Sequence, residues 1–381
     1  MSNARTARRL RGAAQVPSLA AAVGKPALML LVAAALLAAV AGGLLRAGVT
    51  WPGLPENIAV GQAAVAHAAL MMSGFLGTVI AIERAVAVKL RWAFAAPFAS
   101  GIGSIVLLTG HLEVAAWLGV LAALILVGVN VVVVMRQAAA RTVLLLVGAV
   151  AWLVGNLLFA AGQGGGATFP WWFAFLLLTI AAERLAMTRR KRAEPLLHAT
   201  LFALLAGAAL SAPAPLVGGV IYGTALTAMA AWLGAFDLAR RTVHTHGLSR
   251  YVAVCLLGGY VWLAAAGVAW ACMAIGLPTR DVALHALGLG FIVSIVMGQA
   301  PVILPAVARI NIHFGPWFYV PLALLHASLL LRLGGGFASE ELRATGAVLN
   351  AVALALFVVT VVGSAIAWRA RGGASVPTET M

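Results

Sequence analysis

The stretch HAALMMSGFLGTVIAIERA, residues 67–85, opens on a histidine, runs through apolar and small side chains, and closes on Glu83-Arg84. As a helix rising 1.5 Å per residue, such a run covers most of a ~30 Å hydrocarbon core. Runs of this kind recur along all 381 residues, which are 63% hydrophobic and only 9% charged, with a mean hydropathy of +1.05. Lipid admits only helices and closed barrels, and these runs are too long for barrel strands. The fold class that follows is an all-α polytopic membrane protein.

Twelve spans are expected, near 26–48, 60–82, 92–110, 113–135, 142–161, 170–187, 196–212, 214–238, 250–276, 281–306, 315–332 and 344–368. Short polar or Gly/Pro-rich breaks such as WPGLPEN, GQGGGATFP, SAPAP, GLPTRD and RLGGGFASEE separate them. The organisation read from this is a basic cytoplasmic tail at 1–25, one transmembrane domain at 26–370 and a short cytoplasmic tail at 371–381. The opening MSNARTARRLRGAAQ carries four arginines before an apolar run of about 20 residues, longer than a signal-peptide core, so an uncleaved first span is expected.

The net charge of +15 belongs to loops rather than to nucleic-acid binding. With the N-terminus inside, only Arg46, Arg280, Arg332 and Arg343 of the 25 Lys and Arg residues fall outside. That asymmetry supports an even number of spans, both termini inside, in the cytoplasmic membrane. Cys255 and Cys272 share one expected helix about 25 Å apart, which excludes a disulfide between them.

A faint repeat is visible. IAIERAVAVKL at 80–90 echoes IAAERLAMTRR at 180–190, and HAALMMSGF at 67–75 echoes HALGLGF at 285–291. These pieces lie in spans two, six and ten, as three units of four helices would place them. Glu83-Arg84 and Glu183-Arg184 close their spans at the inner interface. Neighbours on a helix point in different directions, so each is expected to pair elsewhere or to snorkel. Asn130, Asn156 and Asn350 read as hydrogen-bond donors between helices.

Orientation gives the histidines a depth. His67 lies about 10 Å, His285 about 6 Å and His326 about 10 Å below the outer boundary. His111 is in an outer loop, and His198, His244, His246 and His313 lie near the inner surface. HTH at 244–246 reads as a solvated loop, with a metal hook as the lesser alternative. A neutral imidazole offers one lone pair to a metal and one N–H to a supporting acceptor. Two at one depth on facing helices meet the requirement for axial ligation of a haem iron. The face of His67 is expected to continue through Met71, Gly74 and Thr78, and that of His285 through Gly288, Ile292 and Gln299. Pro301 and Pro305 are expected to kink span ten. For any one histidine the competing reading is helix–helix hydrogen bonding, and His326 stays open between the two. Met71 and Met72 could serve Cu(I), with core packing the plainer account. The sequence holds no P-loop, nucleotide fingerprint or HExxH.

HAALMMSGFLGTVIAIERA and LHALGLGFIVSIVMGQAPVILPAV resemble motifs of NnrS-type membrane proteins and of related relatives of the haem-copper oxidase catalytic subunit. The resemblance implies twelve spans in three arcs of four, with a low-spin haem held between spans two and ten near the outer face. The matching positions are His67 and His285. Departures are as informative. Span six has no histidine, span seven has only His198 at its inner edge, and Ala283 and Leu287 flank His285 where the oxidases carry a second histidine. The oxygen-reducing copper centre has no counterpart. Ala69 stands where the NnrS pattern HxHE has its second histidine, which bears on any copper site.

The functional expectation is a haem protein with one b-type haem on His67 and His285, His326 being a further candidate metal ligand. It would serve electron transfer or nitric-oxide binding, with copper as a lesser possibility. If it is an enzyme it is an oxidoreductase, but not an oxygen-reducing one. Its partners would be membrane lipid, haem and a redox protein, and no nucleic acid. A secondary transporter working at the kinked tenth span, or a cofactor-free assembly subunit, are the alternatives.

Overall fold

The computed structural model describes residues 19–49, 57–187 and 194–370. Most of the basic N-terminal tail, nearly all of the WPGLPEN turn, the basic run at 189–192 and the C-terminal tail at 371–381 lie outside the described residues.

Every regular element among the described residues is helical. The long ones are α1 (Leu19–Arg46), α2 (His67–Val88), α3 (Arg91–Leu108), α4 (Leu112–Arg136), α5 (Ala140–Ala160) and α6 (Gly165–Met187). They continue with α7 (Glu194–Leu210), α8 (Pro215–Phe236), α9 (Gly247–Ala274), α10 (Arg280–Val307), α11 (Pro316–Gly335) and α12 (Glu340–Ala370). Eleven are long and apolar enough to cross a membrane, and α7 is a shorter apolar helix. The chain is a polytopic all-α membrane protein.

Helices consecutive in sequence pack against one another, and α12 returns to α1, so the bundle closes on itself. Its centre lies on α6, of whose apolar window 78% is buried, against 17% for α12. Small residues set the closest approaches, as expected where lipid removes the hydrophobic drive between helices. At the crossing of α8 and α9, a Cβ on Gly223 would lie 2.5 Å from the backbone of both Gly267 and Ala271.

Among the described residues three helices carry π-helical segments, at Leu70–Gly77 in α2, Ala286–Val293 in α10 and Leu331–Gly335 in α11. In α2 and α10 the segment begins within three residues of the histidine, and both helices close on a left-handed basic residue, Lys89 and Arg309. The echo between the two stretches is therefore a likeness of backbone as well as of sequence. α10 stays helical through Pro301 and Pro305.

The π segment corrects one expectation. Its i→i+5 bonding takes about 4.4 residues per turn, so i and i+4 nearly align. Met71 and Phe75, both half-buried, then continue the stripe of His67. Gly74 and Thr78 turn to α3 instead. Gly74 packs on Ser104, and the Thr78 hydroxyl donates to the Gly74 carbonyl (2.5 Å) and lies 3.0 Å from Ser100 Oγ. Two further corrections concern polar groups. Glu83 and Arg84 pair with each other despite being neighbours, because long side chains can curl together where the helix surface offers nothing nearer. Asn130 donates to Leu126 of its own helix (2.9 Å), whereas Asn156 reaches Gly119 on α4 and Asn350 reaches Ser328 on α11.

Candidate functional site

His67 opens α2 immediately after a break at Ala66 (φ −95°, ψ 14°), where a short helix, Ile58–Val65, hands over. Its ring lies against α1 at Gly43, where an added Cβ would come within 2.8 Å of Cε1. Only glycine leaves that space. Nδ1 is 2.7 Å from the Ala39 carbonyl. A carbonyl only accepts, so Nδ1 carries the proton and Nε2 of the neutral ring keeps its lone pair.

His285 repeats the arrangement with different supports. Its Nδ1 is 2.8 Å from Oδ1 of Asp281, one turn earlier on α10, and 3.1 Å from the Asp281 carbonyl. Both partners accept, so Nδ1 again donates. Asp281 is held in turn by Arg332 at the end of α11, through Nε to Oδ2 (3.1 Å) and Nη2 to Oδ1 (2.9 Å). This fork-on-carboxylate geometry is the strong form of the pair. Arg332 Nη2 also lies 3.1 Å from His285 Nε2. Arg332 is itself buried, and it sits in the π segment of α11. The three π segments thus supply or adjoin the groups of one site, a setting where such segments recur.

The two imidazole rings meet across the space between α2 and α10. Their centres are 6.5 Å apart and their planes 22° from parallel. Each ring has a hydrogen-bond acceptor behind it on Nδ1. This is the usual support of a ligating histidine: the acceptor fixes tautomer and orientation and raises the basicity of Nε2.

His326 does not join the pair. Its Nδ1 accepts the indole N–H of Trp262 (2.8 Å), and the two rings stack at 6.4 Å and 7°. The neutral ring then carries its proton on Nε2, which is buried without a partner and leaves no lone pair for a metal. Trp262 is seated against Gly290 on α10, whose missing side chain makes the room. Of the remaining histidines, His111 is exposed and contacts Thr109 Oγ1 (3.0 Å), and His244 and His246 lie between α8 and α9.

On its opposite face α2 borders a cavity of about 30 Å³ lined by Ser73, Ser104, Asn156 and Trp172, room for about two waters. Sequence reading missed Asp281 and Arg332. Asp281 carried a signal, standing four residues before His285 on one helix face. Arg332 carried none: it reads as an outer-loop cation until α11 is placed beside α10.

Fold and site together define a polytopic helical membrane protein with a supported histidine pair between its second and tenth long helices. The chain belongs to the family described as a domain of unknown function (DUF8744), whose model matches residues 25–366. No curated protein and no solved structure matches it.

Proposed function

We propose that the chain holds one b-type haem between His67 and His285. The observation that carries this reading is that both imidazoles have Nδ1 tied to an acceptor: Nε2 of His67 is left for a ligand, and Nε2 of His285 meets only Arg332 Nη2 (3.1 Å), which a bound metal would displace. The donor set selects the kind of metal. Among the described residues no group of three or more His, Cys, Asp and Glu could hold an ion. Bare zinc or copper is then short of the three or four protein ligands it usually takes. A haem iron brings four ligands of its own and needs only two axial ones. The two rings lie 6.5 Å apart, centre to centre, and would both be at hand for one group held between them.

In this reading the bound haem supplies a one-electron couple. His67 and His285 bind it, the Ala39 carbonyl and Asp281 orient the rings, and Arg332 keeps Asp281 in place while its Nη2 gives up His285 Nε2. A haem held by His67 and His285 would serve electron transfer, with nitric-oxide binding as the other role. Copper is less favoured, because among the described residues no third His, Cys, Asp or Glu completes a ligand set.

The chain is read as twelve-span. The 17 residues of α7 rise about 25 Å, at the short end for a span. The sequence asymmetry of Lys and Arg supports a reading with both termini in the cytoplasm and the histidine pair near the outer face of the cytoplasmic membrane. Three four-helix arcs are supported by the echoes four and eight helices apart.

The test is an absorption spectrum of protein purified from cells well supplied with haem, oxidised and reduced. A low-spin haem spectrum is expected, lost in His67→Ala and in His285→Ala and kept in His326→Ala. Wild-type protein without a Soret band would end the proposal and leave the transporter reading in its place.

A further inference from the structure

Beyond the end of α10 that lies away from His285, the connection between α10 and α11 meets the start of α9 around a pocket that the histidine pair does not use. The pocket has a volume of about 350 Å³, in the range of small-ligand sites, and His246, Arg250, Phe314, Gly315 and Tyr319 are among the residues lining it. Its walls are braced by the fold. Tyr251, buried on α9, packs its ring against those of Phe314 (5.5 Å between centres) and Tyr319 (5.2 Å, at 84°). The α10–α11 connection is tied to α12 as well. The His313 N–H donates to the Ser364 carbonyl (3.2 Å), and the Trp317 indole N–H donates to Ser364 Oγ (3.0 Å).

The charge there is of one sign. Residues 238–250 and 308–319 contain Arg240, Arg241, Arg250 and Arg309 but no Asp or Glu. The preceding carboxylate, Asp237, is 4% exposed, and its Oδ1 accepts the Ala239 N–H (2.7 Å). Arg250 and His246 are both exposed, and among the described residues neither is ion-paired with a carboxylate. α9 starts between them, and His246 at its N-cap makes no capping hydrogen bond, so the helix dipole adds to the same positive field. A guanidinium fork beside a second N–H donor suits phosphate oxygens. The rim is apolar. Trp317 is 43% and Val320 58% exposed, and an indole in that position is typical of the membrane–water interface. A basic pocket bordered by exposed apolar side chains fits a phospholipid better than a free anion.

We infer that this pocket binds the headgroup of an anionic phospholipid, with the phosphate held by Arg250 and His246 and the acyl chains lying along the exposed face at Trp317 and Val320. In the topology proposed above the pocket opens at the cytoplasmic face, whose leaflet carries the anionic lipids. The site does not depend on haem.

The experiment is native mass spectrometry of the full-length protein released from detergent micelles, titrated with phosphatidylglycerol or with phosphatidylcholine. Phosphatidylglycerol should be retained well above phosphatidylcholine. Arg250→Gln should lower that retention about five-fold, the usual contribution of one arginine near an anionic lipid. Arg250→Lys should keep most of it, and Arg141→Gln, at the start of α5 and outside the pocket, should leave it unchanged. Should Arg250→Gln not accumulate, His246→Gln should show the loss in its place. Equal retention of the two lipids, no loss in the pocket variant obtained, or an equal loss in Arg141→Gln overturns the assignment. So does displacement of the lipid by millimolar inorganic phosphate, which would give the pocket to a soluble phosphate instead.

Discussion

Asp281 does for His285 what the Ala39 carbonyl does for His67, but only Asp281 can be removed by mutation. Asp281→Asn keeps the shape and loses the charge, leaving Arg332 without its carboxylate. Loss of such a supporting carboxylate typically costs 10–100-fold in affinity, so cofactor retention on dialysis should fall by about that factor while the fold survives. A parallel change at the third histidine separates packing from ligation. Trp262→Phe removes the hydrogen bond to His326. It should cost about 1 kcal/mol of stability in a thermal or denaturant assay and leave any visible spectrum as it was.

At the scale of the element, the π segment of α2 rests on hydroxyl groups. Ser100 Oγ donates to the Ser73 carbonyl (2.7 Å), and Thr78 donates to the Gly74 carbonyl. These satisfy backbone acceptors inside the wider turn. Ser100→Ala should therefore cost about 1–2 kcal/mol. It should also loosen the cofactor more than its distance from His67 suggests, because the stripe His67–Met71–Phe75 depends on that turn. Measuring stability and haem retention on one preparation distinguishes this from a general loss of packing. The crossing of α8 and α9 offers a contrast. Gly223→Ala pushes a methyl into the backbone of α9 and should destabilise by about 1–3 kcal/mol without selective loss of the cofactor.

For the whole molecule the sharpest prediction is topological. With α6 crossing the membrane, cysteines introduced at Gly165 and Glu194, the first residues of α6 and α7, should label from opposite faces with an impermeant reagent. Labelling from one face would mean that α6 does not cross, and with that the assignment of outer and inner ends would fall. The histidine pair lies where α2 begins and the Glu83–Arg84 ion pair where it ends.

Hydropathy alone determined that the chain is a bundle of membrane helices, because burying backbone polar groups in lipid leaves few other solutions. Its period and breaks located the helices, and two echoed motifs singled out His67, His285, Glu83 and Glu183 before any packing was known. What the sequence could not decide is everything that depends on which helix lies beside which. The π turns rotated Gly74 and Thr78 away from His67, a change of about one residue per turn that an α-helical wheel misplaces. Arg332 became part of the histidine site only when α11 came to rest against α10. His326 shows the same limit from the other side. Its depth expected from the sequence is the same as that of His67, but the indole of Trp262, seated against Gly290, takes its one lone pair. Depth is a one-dimensional quantity and the sequence carries it; the partner of a polar atom is set by three-dimensional neighbours, and only the tertiary structure supplies those.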